Sequence, residues 1–430
     1  MSNTRIHSVS AMRVWDSRGH PTVEAEVRLV DGSRGRAIAP AGASTGSGEA
    51  VDLRDGGEAL GGRDVQRALG NIRGEIADAL RGADAGDQAA VDALLCRLDG
   101  TDDKGRLGAN ATVAVSMATA HAAAAAAGVP LWRHLAGDGD VVLPLPEIQI
   151  FGGGAHAGGR TDVQDFMIVA PGAESFDQAL VWTAEVYAAA GRLLEARGKL
   201  RGVADEGGYW PEFSGNEEAL AYLSKAIETA GFTPIDQIAI SLDIAASEFG
   251  RQGHYHLSLD GDELGSDALI ERLADWLARY PIVSVEDPLA EDDEQGLADF
   301  TARFGDRLQI VGDDYLVTNA ARVAHAAGVG ACNAVLIKPN QAGTLSEARQ
   351  ALAASRQAGW GAIVSARSGE SEDTTIVHLA IGWGAPQLKV GSFARSERMA
   401  KWNEALRIES ALGERARFAG AAALAGHRPG

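Results

Sequence analysis

The stretch 238–338 constrains this chain most. It holds four short β-rich runs, and each ends at an ionisable residue. Residues 238–242 precede Asp243, 282–285 precede Glu286, 309–312 precede Asp313, and 334–337 precede Lys338. Helix-like segments separate the runs. Alternating strands and helices imply a parallel sheet, and in a chain this long a closed barrel is its natural form. In such barrels the carboxyl ends of the strands carry the chemistry. Three carboxylates there make a hard oxygen site for a divalent cation such as Mg²⁺. Lys338, on the next strand end, is a candidate base. A lone Asp after a strand is most often a helix cap or turn residue. Four ionisable strand ends in succession are harder to explain that way.

At 430 residues the chain exceeds a typical single core, so two domains are expected. Its formal net charge of −20 argues against nucleic acid or an anionic membrane as partner. A small anionic substrate remains compatible, because local lysines, arginines and metal reverse the local sign. The only cysteines, Cys96 and Cys332, suggest no disulfide framework and fit a reducing cytoplasm. Residues 1–7 lack the apolar core of a signal peptide, and no run is apolar and long enough to span a bilayer. The nearest, 111–127, is alanine-rich, is broken by Ser116, Thr119 and His121, and reads as a tightly packed helix.

Residues 22–29 alternate, with Val23, Ala25, Val27 and Leu29 on one face, as in a half-buried antiparallel strand. Asp31-Gly32 turns the chain, and 40–48 form a loop of small residues expected to be mobile and able to close over a ligand. A first α+β domain is expected over 1–134, a crossover over 129–140, and a second domain over 143–430. A second glycine-rich loop, 152–159, contains His156, and 164–169 reads as a strand. Ser175 and Asn216 are expected to cap the next two helices. A weak run at Val203 leads to Asp205-Glu206 and makes one strand candidate more than eight. Two runs after Lys338 lead to Arg367-Ser368 and to Lys389. The tail 419–430 is small and polar enough to fray.

Several stretches together resemble enolase. They are Asp16-Ser17-Arg18-Gly19-His20-Pro21-Thr22-Val23-Glu24, Gly42-Ala43-Ser44-Thr45-Gly46, Leu107-Gly108-Ala109-Asn110-Ala111, and Asp205-Glu206-Gly207-Gly208. Further on come Ser284-Val285-Glu286-Asp287-Pro288-Leu289, Gly312-Asp313-Asp314, Lys338-Pro339-Asn340-Gln341-Ala342-Gly343-Thr344, Arg367-Ser368-Gly369-Glu370 and Arg395-Ser396-Glu397-Arg398. They lie in order over nearly the whole chain. The resemblance implies an α/β fold, an enolase-type (β/α)8 barrel with an N-terminal α+β capping domain, whose first barrel strands depart from simple βα order. It also implies a cytoplasmic lyase, a homodimer or higher homo-oligomer, with two Mg²⁺ per active site. Asp243, Glu286 and Asp313 would hold the tighter ion, and Ser44 would help hold the second. Lys338 would take the proton from C2 of 2-phosphoglycerate. Glu206, supported by Asp165, would help expel the C3 hydroxyl, with His156 near the reacting groups. Lys389 would bind the substrate carboxylate, Arg367 and Ser368 the phosphate, and Gln164 would join the substrate-binding set. A proton beside a carboxylate is very weakly acidic, so cations on that carboxylate are what make its removal feasible. Nearby cations and burial would lower the pKa of Lys338 and let it act neutral.

Some positions depart from the family. Asp165 stands where enolases have Glu, and Ala366 where they have the His beside the leaving hydroxyl. Ala41 replaces a loop Ser, Gly48 a His or Arg, Gly152 an Asn, and Gly158-Gly159 polar residues. Groups shrink while the metal and base positions stay. This points to a specialised relative that keeps C2 enolisation but handles a larger or different group, in space opened by Ala366 and Asp165. Carboxyphosphonoenolpyruvate synthases, of phosphinate antibiotic biosynthesis, are enolase-like enzymes of that type. An activated phosphonoformate would then be the co-substrate, and no motif for it is visible. Two other readings stand beside this one. One is a true enolase with tolerated drift, giving phosphoenolpyruvate and water. The other is a binding protein on an inactive scaffold, against which the retained Lys338, Lys389 and three ligands count. His121, His254, His256 and His378, like Trp182, Trp210 and Trp383, read as packing or surface residues.

Overall fold

The computed structural model describes residues 4–425. The chain begins with an antiparallel sheet of three strands, β1 (Ile6–Trp15), β2 (Pro21–Leu29) and β3 (Arg34–Ile38), in that order. Val23, Ala25, Val27 and Leu29 are buried as the alternation predicts. The alanine-rich segment is a helix, Ala109–Ala127, packed on β2 and β3 and buried along most of its length. Its small side chains let the sheet come very close. A Cβ built at Gly35 would lie 2.0 Å from the carbonyl oxygen of Ala118.

Eight strands then close a barrel. They are β4 (Leu145–Gly152), β5 (Asp165–Val169), β6 (Ala239–Asp243) and, after a small sheet of β7 (Gly250–Arg251), β8 (His254–Leu257) and β9 (Asp262–Gly265), β10 (Ile282–Glu286), β11 (Gln309–Gly312), β12 (Ala334–Ile337), β13 (Gly361–Ser365) and β14 (Gln387–Ser392). From β10 round through β14 to β4, and from β6 to β10, neighbours are parallel. β5 is not. It runs antiparallel to both β4 and β6. Between β4 and β5 there is only a loop with one 3₁₀ turn, too little for the helical crossover that a parallel return needs. The all-parallel barrel implied by strand–helix alternation therefore gives way at β5, as the resemblance implies. The reversal has a chemical consequence. Asp165, the first residue of β5, pairs with Gly152 at the end of β4 and with Asp243 at the end of β6. An acid at the amino end of a strand thus reaches the same rim as the acids at carboxyl ends.

Other local expectations need correction. Residues around Val203 form no strand, only a bridge to Tyr209, which resolves the surplus candidate. The expected crossover contains a short helix, Leu131–Ala136. Ser175 does cap its helix, accepting from the Gln178 N–H at 3.1 Å. Asn216 does not cap. The N-cap is Gly215, and the Asn216 amide instead accepts from Asp162 N–H at 2.9 Å and donates to Asp162 and Asp260. It thereby pins the loop that carries His156. The described part of the tail is not frayed. Ala423 and Leu424 are buried against Leu145, Val169, Ala239 and Val283, closing the barrel end away from the site. Residues 426–430 of that expected frayed tail lie outside the described residues. Among the described residues no helix is long and apolar enough to cross a membrane.

Candidate active site

Asp243, Glu286, Asp313 and Lys338 converge at one rim, each at or just after a strand end. Lys389, on β14, crosses the mouth. Its Nζ donates to Asp243 Oδ2 at 2.8 Å and to Glu286 Oε2 at 2.7 Å, and lies 3.6 Å from Asp165 Oδ2. Lys338 pairs with Asp313 Oδ2. Gln164 donates to Asp243 Oδ2 at 3.1 Å, and Gln341 to Asp313 Oδ1 at 2.9 Å. Burial alone favours neutral lysines, but the carboxylates win. Asp313 holds Lys338 above the usual lysine range, and Asp243 and Glu286 hold Lys389 well above it. The expected neutral Lys338 is therefore not what this arrangement gives, because its carboxylate partner is nearer than any cation.

The residues fit a divalent cation. Three buried carboxylates share two lysines, which leaves surplus negative charge at the rim. Glu286 Oε1 is buried without a hydrogen-bond partner. Burial, then the neighbouring Asp243 charge, pushes the Glu286 pKa well up, and a cation would relieve both. The donors are all oxygens, as Mg²⁺ prefers. Oxygens of Asp287, Asp313 and Asp314 also lie within 4.8 Å of one another. Asp287, though, accepts the backbone N–H of Asp313 at 2.9 Å and of Asp314 at 2.8 Å, so it frames the strand end instead of facing the mouth.

Beside Lys389 sits a second cluster. His156 Nδ1 is 3.5 Å from Glu206 Oε1 and 3.9 Å from Asp165 Oδ1. His156 Nδ1 and Asp165 Oδ2 are buried without hydrogen-bond partners. Burial, opposed by His156 and Lys389, pushes the Asp165 carboxyl up to about 6. For Glu206 burial acts the same way, but His156, Arg398 and both lysines bring its pKa below the ordinary value. Two neighbouring carboxyls with proton affinities pushed apart suit proton delivery.

Arg367 is buried and saturated. Its guanidinium donates to Glu49 at 2.9 and 3.1 Å, to Asn340 at 3.2 Å and to the Ser44 carbonyl at 2.9 Å. Ser368 Oγ accepts from Arg18 at 3.2 Å. Arg398, fully buried, donates to the carbonyls of Arg367, Ser368 and Val390. The Gly/Ser loop lies closed over the mouth. Arg18 holds its Ala41 and Gly42 carbonyls, and Glu291 accepts from the Ser47 N–H at 3.0 Å. Gly42 is required there, since a Cβ would lie 1.9 Å from an Arg367 nitrogen.

All the expected site residues thus meet at one rim, with Ser44 on the closed loop. Glu49, Arg18, Glu291 and Asp287 were given no role by the sequence. Arg18 and Asp287 stand in stretches that carry the resemblance, and Glu49 is a charge just after a glycine-rich loop, but Glu291 has no such signal. The expected extra space is largely absent. At Gly48 the Arg322 guanidinium moves in, 2.2 Å from where a Cβ would be. At Gly152 the room is taken by Ala204 and Gln149. The shortness of Asp165 is met by Gln149, whose Nε2 donates to Asp165 Oδ1. Ala366 lines the cavity with a methyl group, beside Ser365 and Arg367.

Residues 140–426 match the family model described as the C-terminal TIM barrel domain of enolase, and residues 6–135 match its N-terminal domain. A closed eight-stranded barrel with one reversed strand, a sheet-bearing cap whose loop reaches the barrel mouth, and two family matches spanning nearly the whole sequence place this chain in the enolase family.

Proposed function

We propose that this chain removes the C2 proton of 2-phosphoglycerate or a close analogue and forms an enolpyruvate product, with a specialised elimination step. The observation that carries the reading is the meeting of two clusters at one mouth, joined by Lys389 and Asp165 at 3.6 Å. Lys338 and Lys389 lie on the carboxylates of one side, and Glu206, His156 and Asp165 on the other. Lys338 takes the proton in its neutral form, which requires release from the Asp313 ion pair. Mg²⁺ held by Asp243, Glu286 and Asp313, with Ser44, would supply positive charge as the C2 proton leaves. Lys389 adds its own charge to the substrate carboxylate. Glu206 gives a proton to the group leaving C3. Arg367 and Ser368 hold the phosphate, for which Arg367 must loosen from Glu49. The loop excludes water while the carbanion-like state exists.

Ala366 favours the specialised version, a carboxyphosphonoenolpyruvate synthase using an activated phosphonoformate. At Ala366 a methyl group lines the cavity where the family has a histidine side chain. The second reading is ordinary dehydration to phosphoenolpyruvate, favoured by the intact Glu206–His156 pair. The test uses purified protein, Mg²⁺ and 2-phosphoglycerate in heavy water, following deuterium at C2 and product together. Exchange without dehydration supports the specialised reading, and a product appearing when phosphonoformate nucleotide is added would extend it. Rapid dehydration supports the ordinary reaction. Absence of exchange and product under all these conditions sinks the proposal.

A further inference from the structure

The acid cluster is held by a residue inside the barrel wall. Gln149 is fully buried in β4, which is otherwise apolar around it except for Glu147. The side-chain amide of Gln149 has two partners. Its Nε2 donates to Asp165 Oδ1, and its Oε1 accepts the Gly208 N–H at 2.9 Å. One side chain therefore ties the reversed strand that carries Asp165 to the loop that carries Glu206. The backbone is shaped around it. Pairing of β4 with β5 shifts register between Gln149 and Phe151, and pairing with β14 shifts between Lys389 and Gly391. Such irregularities re-aim side chains beside active sites. The neighbouring glycines leave its space free. A Cβ at Gly208 would lie 2.4 Å from Gln149 Oε1, and one at Gly152 would lie 3.3 Å from it.

The donor side matters chemically. Asp165 Oδ1 is engaged by Gln149, so Oδ2 is the oxygen turned towards Lys389, at 3.6 Å. The carboxyl is thereby held in one orientation beside His156. The acceptor side fixes the turn after Glu206. Tyr187 supports the same turn, donating to the Gly207 carbonyl at 2.9 Å.

We infer that Gln149 is a positioning residue for the elimination half of the reaction, orienting Asp165 and the Glu206 loop together without touching substrate. The inference rests on the reading that Glu206 serves the group leaving C3. It predicts an asymmetric defect. In Gln149→Leu, product formation falls about 10- to 100-fold, as for other supporting hydrogen bonds, while KM and C2 deuterium exchange stay near wild type. Gln149→Glu keeps an acceptor for Gly208 and removes the donor to Asp165, so it also loses product formation selectively. The two variants separate in backbone hydrogen exchange. Gln149→Leu loses protection over residues 204–209 only, and Gln149→Glu keeps it.

Equal loss of exchange and product formation would mean general disruption and would overturn the inference. So would wild-type values of both. Should the wild-type protein give exchange without product, or neither (in which case the reading of the reaction fails), backbone hydrogen exchange alone decides. Protection lost at 204–209 in Gln149→Leu but not elsewhere then supports the positioning role. Unchanged protection there overturns it.

Discussion

The two sides of the barrel mouth are built differently. On the lysine side every charged group lies on or just after a barrel strand with parallel neighbours and has a direct ionic partner: Lys338 with Asp313, Lys389 with Asp243 and Glu286. On the acid side the groups come from two loops and a reversed strand, and two of their atoms, His156 Nδ1 and Asp165 Oδ2, are buried without hydrogen bonds. Of the departures from the enolase pattern, Gly152 and Asp165 belong to the acid side, where they pair with each other, whereas Ala366 follows β13 between the strand before Lys338 and the strand of Lys389. The lysines and the carboxylates expected to hold a metal are retained. Strand ends in a closed barrel are fixed by their neighbours' register, so a change there disturbs several positions at once. Loops are supported by a few replaceable contacts, and Gln149 beside Gly152 is an example of such a replacement. On the proposed reading the acid side is then the freer to change chemistry, and the lysine side the one that would serve enolisation.

The largest expected effect removes the lysine side. Lys338→Met should lower both C2 exchange and product formation by about 10²–10⁴-fold, the usual contribution of a positioned base. Exchange that survived at wild-type rate would assign the base elsewhere and break the comparison. Glu206→Gln should instead separate the two readouts. Product formation falls by about 10²-fold or more while exchange persists. Parallel loss of both would mean that the two sides do not act independently.

A smaller effect is expected where the loop meets Arg367. Glu49 occupies the guanidinium that the proposed reading assigns to the substrate phosphate. Glu49→Gln removes a charge that competes with phosphate, so inhibition by inorganic phosphate should strengthen about 3- to 10-fold, in keeping with one charge-assisted bond exchanged. Weaker inhibition would show that Glu49 chiefly positions Arg367, and that the closed loop needs the ion pair to form a phosphate site at all.

The contrast also explains what the sequence reveals. Asp243, Glu286, Asp313 and Lys338 are legible because each follows an apolar run that can only be a buried strand. Strand–helix alternation gives the barrel but conceals the reversal of β5, since direction depends on whether a loop can cross over. Asp165 therefore reads as an acid near the start of a strand, placed beside Glu206 by the resemblance alone, and it is antiparallel register that brings it to the rim. Gln149 is less visible still. With Glu147 it makes β4 alternate polar and apolar, which suggests a half-exposed strand, yet both are buried in the barrel. Glu147 instead finds a partner in the Ser241 hydroxyl across the interior. Pattern reading separates polar from apolar faces, and a barrel interior lined with hydrogen-bonded polar groups defeats it.

The smallest expected effect at the site comes from a position far from both clusters, and it serves as their control. His378, on the helix Thr375–Trp383, faces His121 of the helix Ala109–Ala127 across the seam between cap and barrel, with ring centroids 6.1 Å apart. Glu404 lies 3.5 Å from His378 Nε2, and Thr375 bonds His121 at 2.9 Å. Burial, then His121, pushes the His378 pKa down to about 4, with Glu404 and Asp373 opposing, and burial lowers His121 too. In the unfolded chain an imidazole titrates near ~6.5. Above that pH both states are neutral and His378 has no effect on stability. Between there and about 4 the unfolded chain binds a proton that the folded chain refuses, so stability is lost as pH falls through this window. By pH ~5 the loss from His378 alone is ~2 kcal/mol. His378→Gln should therefore flatten the fall of Tm between pH ~7 and ~5 relative to wild type, leaving the ratio of C2 exchange to product formation unchanged. An unaltered Tm profile would mean that the seam opens enough to hydrate the pair. A changed ratio would mean that the seam is coupled to the mouth, and the two sides could then no longer be compared as independent parts of a rigid barrel.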